Sequence, residues 1–411
     1  MTRFTLLLFV VAILAIACKR EASIVIQGDP TDLLDKVALE RALHSLDYDY
    51  TPSFPNYLKS AGLQPVPIDK KKAALGRVLF YDKILSHNQS LSCASCHEQS
   101  RAFADAKGFS MGVNGQKLER QSLPLANTAN FAAHYRQLND TGIPPFLWDG
   151  RTLSLDEISR MAITSPDEMN MSMEEVLERI RSKDYYQALW RRVFGHSSPK
   201  ENEMLEALSE FVKAIGSVHA SFDASMEMNA GNPNATVKAD TSVSAFYHGP
   251  PNVIIVKDTT PPPGFTLSQF RGLRLFTRNC SGCHSAIRPF QQVFEACNGL
   301  SLIYKDQGKG KITGNPQDYG VFKAISLRNV ALTAPYMHDG RFKTLTEVID
   351  FYSTGIQPHP NLHPLLRNPD GSPKRFNFTA KEKQDLLNFL DMLTDKKLVE
   401  DVRFSNPFKQ Q

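Results

Sequence analysis

The chain has 411 residues, of which 42% are hydrophobic and 22% are charged, values that are ordinary for a water-soluble globular protein. One hydrophobic core rarely serves a chain of this length, so two domains are expected. The formal net charge of +4 is small, which excludes the strongly basic surface of a typical nucleic-acid-binding protein.

Residues 1–18 differ in composition from the rest of the chain. Arg3 supplies one positive charge, and the apolar run Phe4–Ala17 is shorter than the roughly 20 residues that a membrane-spanning helix needs. Such a segment is typical of a secretory signal peptide. Because Ala15-Ile16-Ala17-Cys18 resembles the cleavage site of bacterial lipoproteins, we predict that Cys18 is lipidated, with plain cleavage as the alternative. Either outcome predicts an exported, periplasmic protein, and a lipid on Cys18 would be its only contact with a membrane.

The cysteine pattern does not suggest a disulfide framework, although six cysteines in an exported chain could form three bridges. Four of the cysteines form two Cys-x-x-Cys pairs, and Cys18 belongs to the signal peptide. Cys297 remains single. We interpret it as a buried or idle thiol and assign it no role.

The rest of the chain divides into four segments by its hydrophobic and turn-forming residues. The predicted segments are an N-terminal extension at 19–62, a first domain at 63–246, a linker at 247–264 and a second domain at 265–411. The extension has weak helical periodicity and reads as an addition to the first domain. The linker is rich in proline and glycine. Few segments alternate as β-strands do, so the fold class is predicted to be mainly α.

Three helices stand out within the domains. Met173–Val193 has apolar residues near the helical period of 3.6. A second helix is predicted to begin after Ser198-Pro199, a suitable N-cap and first-turn pair, and to continue to about Val218. A third, Thr379–Leu393, begins with a Thr379…Glu382 capping box and closes the second domain.

Two motifs carry the chemistry of this chain. Cys93-Ala94-Ser95-Cys96-His97 and Cys280-Ser281-Gly282-Cys283-His284 both match the attachment pattern of c-type haem. Two thiols one helical turn apart can each add to a haem vinyl group, and the histidine that follows then lies under the iron. A zinc ribbon would need the two pairs far closer together, and a disulfide redox motif would not need the histidine. The sequence therefore predicts two covalently bound haems.

The ligand on the other face of each iron separates an electron carrier from a peroxidase, and several residues are possible ligands. After the first motif they are Met161, Met169, Met171 and Met173; after the second they are Met337, His338 and Tyr352. A Thr344…Glu347 capping box predicts a helix on which Tyr352 faces inward. From periodicity alone, an ordinary core tyrosine is the favoured interpretation.

Four further stretches resemble one known family. They are Leu75–Phe80, Phe146–Arg151, Ser165–Met169 and Leu327–Gly340. In this order they resemble the bacterial di-haem cytochrome c peroxidases and the related MauG enzymes, over about Leu63 to Leu393. The resemblance implies two cytochrome c-like domains, each with one covalent haem. The first would be the peroxidatic domain and the second the electron-transfer domain.

The resemblance also implies roles for single residues. His97 would be the proximal ligand of the peroxide-reactive haem, and His284 that of the electron-transfer haem. Glu168 stands where the family has its catalytic acid/base carboxylate. Trp148 stands where the family has a tryptophan between the haems, and His338 matches a histidine near the second haem with a structural or propionate-binding role.

Two departures from the common family pattern bring the chain closer to its MauG branch, and a third concerns the family's metal site. Val113 replaces the distal histidine of conventional members and cannot bind iron, so the first haem is expected to be open. Tyr352 stands where conventional members have a methionine ligand, as in MauG, so the resemblance favours it as a ligand. The family's bridging calcium maps to Gln121, Thr333 and Pro335, oxygen donors of the type that suits Ca²⁺, although Gln121 is one methylene longer than the family's asparagine.

The sequence therefore predicts a periplasmic di-haem peroxidase that reduces hydrogen peroxide. Electrons would come from an external donor, either a small redox protein or a protein side chain, by way of the second haem. The rival interpretation is a di-haem electron carrier or sensor without turnover. Val113 and Glu168 argue against it, because a carrier keeps both irons six-coordinate and needs no acid near them.

Overall fold

The computed structural model describes residue 40 and residues 43–60, 64–128, 146–229, 261–284 and 295–408. The signal peptide with Cys18, and most of the predicted linker at 247–264, lie outside the described residues. Among the described residues, no helix is both long enough and apolar enough to cross a membrane.

The described part of the chain is mainly helical, as predicted. Its α-helices, numbered in chain order, are α1 (Asn56–Ser60), α2 (Lys70–Tyr81), α3 (Leu155–Thr164), α4 (Met173–Arg181), α5 (Asp184–Phe194), α6 (Glu201–Ala214), α7 (Ser221–Asn229), α8 (Leu267–Asn279), α9 (Gly310–Thr313), α10 (Leu345–Asp350), α11 (Ala380–Asp391) and α12 (Lys396–Glu400). A short antiparallel pair, β1 (Glu295–Ala296) and β2 (Phe322–Lys323), lies in the second half.

Two of the predicted helices differ from those in the structure. The segment 173–193 forms two helices instead of one, because Lys183 adopts an extended conformation between α4 and α5. The helix expected after Ser198-Pro199 begins instead at Glu201, with Lys200 as its N-cap, and ends at Ala214. The apolar period continues across both boundaries, so periodicity alone could not locate them.

The capping residues explain where other helices begin. Asp69 accepts hydrogen bonds from the backbone N–H groups of Lys71 and Lys72 at the start of α2. Thr266 and Gln269 form a capping box on α8. The predicted capping boxes of α10 and α11 are both confirmed. Each box satisfies backbone N–H groups that the first helical turn leaves without partners.

Each haem motif follows a helix that packs closely against a second helix. Helix α2 crosses α6 at Gly76, where a Cβ atom would overlap the carbonyl oxygen of Ala207. Helix α8 crosses α11 at Gly272, where a Cβ atom would overlap the carbonyl oxygen of Asp385. The same helix–glycine–helix arrangement therefore occurs once in each half of the chain.

Each of the two main hydrophobic cores includes residues from outside the domain that the sequence predicts for it. The core around α2 and α6 includes Leu398 and Phe404, although both residues follow the second haem motif by more than a hundred positions. The core around α8 and α11 includes Phe54 and Tyr57 of the N-terminal extension and Phe222 of α7. The extension, interpreted from the sequence as an addition to the first domain, thus packs in part on the second core.

Two buried charge clusters tie the halves together. Arg328 donates to both carboxylate oxygens of Asp223 at 2.6 Å, and Tyr57 donates to the same carboxylate at 2.5 Å. Arg120 bridges Asp149 at 2.6 Å and Asp306 at 2.5 Å. In both clusters a guanidinium and a carboxylate from different halves satisfy each other, so breaking either would leave a charge with little water around it.

We predict that Gly76→Ala destabilises the protein by about 1–3 kcal/mol, the usual cost of forcing extra volume into a packed contact. The added methyl group would push α2 away from Ala207 of α6. Urea unfolding followed by circular dichroism measures the change. Lys71→Ala, at an exposed position of the same helix, is the control and should unfold as the wild type does. Equal unfolding midpoints for all three proteins would contradict the close contact.

Candidate functional site

The first haem motif forms a short 3₁₀ turn that places its histidine. Cys93–Ser95 is helical, Ser92 and Ser95 form a capping box, and the backbone N–H of His97 donates to the carbonyl oxygen of Cys93 at 3.0 Å. Nδ1 of His97 lies 3.0 Å from the carbonyl oxygen of Phe103. This bond assigns the ring proton to Nδ1 and leaves Nε2 as the ligating nitrogen.

The second motif repeats this geometry after α8. The backbone N–H of His284 donates to the carbonyl oxygen of Cys280 at 2.9 Å, and Nδ1 of His284 lies 2.9 Å from the carbonyl oxygen of Ile325. Burial lowers the pKa of both His97 and His284, which keeps each ring neutral, as an iron ligand must be. The residues at both motifs therefore fit a haem with a proximal histidine.

Glu168 lies beside the first motif. Its backbone carbonyl accepts the N–H of Val113 at 2.8 Å, and its carboxyl lies close enough to both Cys93 and Cys96 to raise the pKa of their thiols further, beyond the larger effect of burial. Burial raises the pKa of Glu168, the neighbouring Asp167 raises it further, and Arg151 lowers it. A carboxyl group with a raised pKa beside a haem site can both accept and return a proton.

The loop that contains Val113 packs against the loop that contains Glu168. Its side chain is buried, its carbonyl oxygen accepts from Asn88 Nδ2 at 3.1 Å, and its neighbour Gly112 contacts the carbonyl of Asp167 so closely that a Cβ atom would not fit. The glycine thus allows the two loops to meet. The methionines predicted as alternative ligands include Met169 and Met171, which are buried in the first hydrophobic core.

Trp148 lies where the two halves of the chain meet. Its Nε1 donates to the carbonyl oxygen of Gln121 at 2.8 Å, and its own carbonyl accepts the N–H of Lys323 at 2.9 Å. Its ring stands edge-on to that of His338 at 6.4 Å, and the N–H of Gln121 donates to the carbonyl oxygen of His338 at 2.8 Å. Because His284 is bonded to Ile325, two residues from Lys323, a short path of backbone joins Trp148 to the second motif.

His338 is packed among aromatic rings. It stacks on Phe322 with ring centroids 3.9 Å apart and planes 13° from parallel, and burial lowers its pKa to about 4. The ring is therefore neutral at ordinary pH. A neutral ring supports a structural role, or a propionate contact by hydrogen bond alone, rather than a charge pair with a propionate.

Tyr352 lies in the π-helical turn Phe351–Gly355 that follows α10. Its hydroxyl accepts a hydrogen bond from Nδ2 of Asn298 at 3.2 Å. Burial raises its pKa to about 12, and the thiols of Cys283 and Cys280 act in the same direction, which places the phenol beside the second motif. The side chain thus faces this motif rather than only the core.

Met337 lies at the same site as Tyr352. The amide Nδ2 of Asn298 is 3.8 Å from Sδ of Met337 as well as within hydrogen-bond distance of Tyr352. The fold therefore brings together two of the three residues that the sequence offered as ligands of the second iron. Nothing in the sequence pointed to Asn298, because this residue belongs to no motif and is far along the chain from both Met337 and Tyr352.

The predicted calcium ligands lie on adjoining loops. The backbone N–H of Gln121 donates to the carbonyl oxygen of His338, which lies three residues after the cis Ala334–Pro335 bond. Gln121, Thr333 and Pro335 are all buried. Arg101 donates to the carbonyl oxygen of Ala334 at 2.5 Å, so a positive charge lies beside this loop. Among the described residues no group of three or more His, Cys, Asp or Glu could hold a metal, so a calcium ion here would depend on amide and carbonyl oxygens. Calcium remains a prediction.

The mainly helical fold and the paired Cys-x-x-Cys-His sites define a haem protein of the cytochrome c type. A family model described as di-haem cytochrome c peroxidase matches residues 70–231. The methylamine utilization protein MauG of Methylorubrum extorquens is 32% identical over 333 residues, covering 80% of this chain and 79% of the relative. The cytochrome-c peroxidase IdrP1 of Pseudomonas sp. (strain SCT) is 28% identical over 348 residues, covering 81% and 85%.

A solved structure is also similar. It is a MauG-like protein associated with microbial copper homeostasis, 28% identical, with a TM-score of 0.66 over 88% of this chain and 99% of that one. The chain belongs to the di-haem cytochrome c peroxidase family, which includes the MauG proteins. It is an oxidoreductase of the peroxidase type, with haem as its cofactor.

Proposed function

We propose that this protein is a periplasmic, MauG-like enzyme that reduces hydrogen peroxide at its first haem with electrons from an external donor. The observation that carries the proposal is the position of Glu168, a partly buried carboxyl with a raised pKa beside Cys93 and Cys96. A positioned acid/base is needed for peroxide cleavage and is not needed for electron transfer alone. The donor is a redox protein or an oxidisable side chain of a protein.

Two covalent c-type haems would supply the redox chemistry, each held by two thioether bonds and a histidine. In this arrangement Glu168 accepts a proton from one peroxide oxygen and returns it to the departing one, which leaves as water. Val113 offers no atom that binds iron, so peroxide would meet no protein ligand to displace. His97 is held neutral and oriented by the carbonyl of Phe103.

Electrons would pass between the haems by way of Trp148. Its indole is buried at the junction of the halves and held by a hydrogen bond to Gln121 and by its contact with His338. These contacts fix the orientation of the ring, and an oriented ring between two redox centres suits a relay. A passive carrier or sensor would account for Trp148 equally well but gives no role to Glu168.

Export and anchoring belong to the proposal as well. The segment 1–18 has the composition of a signal peptide, which supports export to the periplasm. Lipidation of Cys18 would tether the enzyme to a membrane surface without a spanning helix.

We predict that Glu168→Gln keeps both haems but slows peroxide cleavage by roughly 10²–10⁴-fold, the usual contribution of a positioned acid/base. Glutamine preserves the shape of the side chain but cannot take up the proton. Stopped-flow absorbance after mixing with hydrogen peroxide measures the rate. Asp167→Asn, which removes the adjacent exposed carboxylate, is the matched control and should change the rate far less. An undiminished rate in Glu168→Gln would remove this residue from the mechanism.

The oxidised enzyme is predicted to give a high-spin ferric signal from the first haem and a low-spin signal from the second. The reason is that Val113 leaves the first iron without a distal protein ligand. Electron paramagnetic resonance (EPR) of the resting protein tests this directly. Val113→His restores a nitrogen donor at this position and should convert the high-spin signal to low-spin. Two low-spin signals in the wild type would contradict an open first haem.

Tyr352→Met is predicted to raise the reduction potential of the second haem by roughly a few hundred millivolts, on the order of the range that axial ligands span. A phenolate stabilises oxidised iron, whereas a thioether favours reduced iron. Redox titration of each haem measures the shift. Met337→Leu is the matched control, because Met337 contacts the same side-chain amide of Asn298 as Tyr352 does. This variant should leave the potential nearly unchanged. If Met337→Leu shifts the potential and Tyr352→Met does not, Met337 is the ligand.

A further inference from the structure

Cys297, to which the sequence assigned no role, lies in a buried cluster with a histidine and a tyrosine. Its Sγ is 3.4 Å from Nδ1 of His359 and 3.8 Å from the hydroxyl of Tyr304. The backbone N–H of Asn361 donates to the same Nδ1 at 3.0 Å, so this nitrogen is an acceptor and the ring proton is on Nε2. In the resting arrangement the thiol donates to the Tyr304 hydroxyl, and that hydroxyl donates to Oδ1 of Asn298. Rotation about the C–S and C–O single bonds turns the thiol hydrogen to Nδ1 of His359 and the hydroxyl hydrogen to Sγ.

The resting cluster is neutral. Burial raises the pKa of the Cys297 thiol and of the Tyr304 phenol, and it lowers the pKa of His359. A neutral buried thiol is a poor nucleophile, so the cluster does not resemble a catalytic cysteine–histidine pair. What the geometry provides is two contacts, of 3.8 Å and 3.4 Å, along which a proton can move from the phenol through the thiol to the imidazole.

One amide connects this cluster to the second haem site. Oδ1 of Asn298 lies 3.4 Å from the Tyr304 hydroxyl, while Nδ2 of the same side chain donates to the Tyr352 hydroxyl at 3.2 Å. The backbone N–H of Leu300 donates to both Oδ1 of Asn298 at 3.1 Å and the Tyr304 hydroxyl at 2.8 Å, which fixes their mutual orientation. The two tyrosines are therefore separated by a single side chain.

Ring contacts connect the same cluster to Trp148. The ring of Tyr304 lies 6.2 Å from the ring of His338 and 5.2 Å from the ring of His359. The ring of His338 in turn lies 6.4 Å from that of Trp148. Tyr304 thus lies between the tryptophan at the junction of the halves and the tyrosine beside the second motif. Ile303, next to it in the chain, is 83% exposed, so this site lies directly beneath the surface.

We propose that Tyr304 is a redox-active residue that holds one oxidising equivalent during turnover, with Cys297 and His359 as the path for its proton. The inference rests on the proposed reduction of peroxide. Hydrogen peroxide needs two electrons, and a redox protein that delivers electrons singly leaves the enzyme one electron short between deliveries. An oxidisable side chain near the second haem supplies that electron for the interval.

The step balances as follows in atoms and charge. One electron leaves the phenol ring of Tyr304, its hydroxyl proton passes to Sγ of Cys297, and the thiol proton passes to Nδ1 of His359. The products are a neutral tyrosyl radical, an unchanged thiol and an imidazolium. With one electron from the donor and two protons from solvent, peroxide becomes two molecules of water. A second donor electron and the proton held by His359 then restore Tyr304.

The partial burial of the phenol favours loss of its proton together with the electron. Removing an electron without the proton would leave a cationic ring in a poorly hydrated environment, which is costly. The carbonyl oxygen of Asn298 is too weak a base to take the proton. His359 is the basic group within reach, through the sulfur of Cys297.

Freeze-quench EPR tests the proposal on the full-length holoenzyme. The protein is first reduced by one electron and then mixed with one equivalent of hydrogen peroxide, without a further donor. We expect an organic radical whose signal narrows when the protein is made with ring-deuterated tyrosine. Tyr304→Phe should lose this signal. Tyr319→Phe, at a half-buried tyrosine of the same half of the chain, is the matched control and should keep it.

The proton path is tested by a second pair of variants. Cys297→Ser retains a group that both accepts and donates a proton, so the radical should still form. Cys297→Ala interrupts the path and should lose it. In the wild type and in Cys297→Ser the radical should form more slowly in deuterated water, an isotope effect that a purely structural role would not produce. Haem absorbance verifies that each variant is loaded.

The possible failures are distinguishable. If peroxide is consumed at the wild-type rate but no tyrosine radical forms, or if the radical survives in Tyr304→Phe, the inference is overturned and the proposed function stands. If Cys297→Ala and Cys297→Ser both behave as the wild type, the proton path is overturned. If the wild type does not reduce peroxide, the proposed function fails and this inference fails with it. Should Tyr304→Phe not bind haem, the Cys297 pair decides.

Discussion

Both haem motifs take their position from a close approach of two helices. Gly76 lets α2 touch the backbone of α6, and Gly272 lets α8 touch the backbone of α11. The first motif comes shortly after α2, and the second begins at the residue that caps α8. A side chain at either glycine would separate the helices and shift the cysteines and histidine that follow. The rest of each site depends on this contact. Once the helices place the histidine, the carbonyl oxygen of Phe103 binds Nδ1 of His97, and that of Ile325 binds Nδ1 of His284.

The junction of the two halves combines neutral contacts with neighbouring ion pairs. Trp148, Gln121 and His338 meet through backbone hydrogen bonds and ring contacts, and His338 is neutral because it is buried. Charged groups adjoin them. The guanidinium of Arg120 lies 5.5 Å from the centre of the Phe322 ring, which stacks on His338, and Arg120 and Arg328 each pair with a carboxylate of the opposite half. This arrangement suits an electron path. Fixed neutral groups reorganise little when a charge passes, while the ion pairs hold the halves in register.

The second haem site is richer in polar contacts than its motif indicates. Asn298 holds the hydroxyl of Tyr352 and lies against the sulfur of Met337, and it also connects to Tyr304 and, through it, to Cys297. At the first site, Glu168 and Val113 are brought together by one backbone hydrogen bond. The difference matches the roles in the proposed function. In that proposal one site handles a small reactant and its protons, and the other handles electrons and their storage.

The sequence by itself determined the haem chemistry, because covalent attachment requires two thiols and a histidine at fixed local spacing. It also determined the mainly helical class, the capping boxes of α10 and α11, and the family, since these too are local patterns. It could not locate the break at Lys183, where the apolar period runs on without interruption. It did not indicate that Phe54 and Tyr57 pack on the second core, because such packing joins residues far apart in the chain.

Only the tertiary structure decided which side chains meet at the second site. Periodicity favoured a core role for Tyr352, and the fold both packs it against a hydrophobic cluster and places it beside Cys283 and Cys280, in a π-helical turn. No motif marks Asn298. Cys297 looked idle because its partner His359 is brought to it by a loop from later in the chain, through the bridge between Cys297 and Leu362. Short-range spacing fixes which residues can bind a haem, whereas long-range packing fixes what surrounds it.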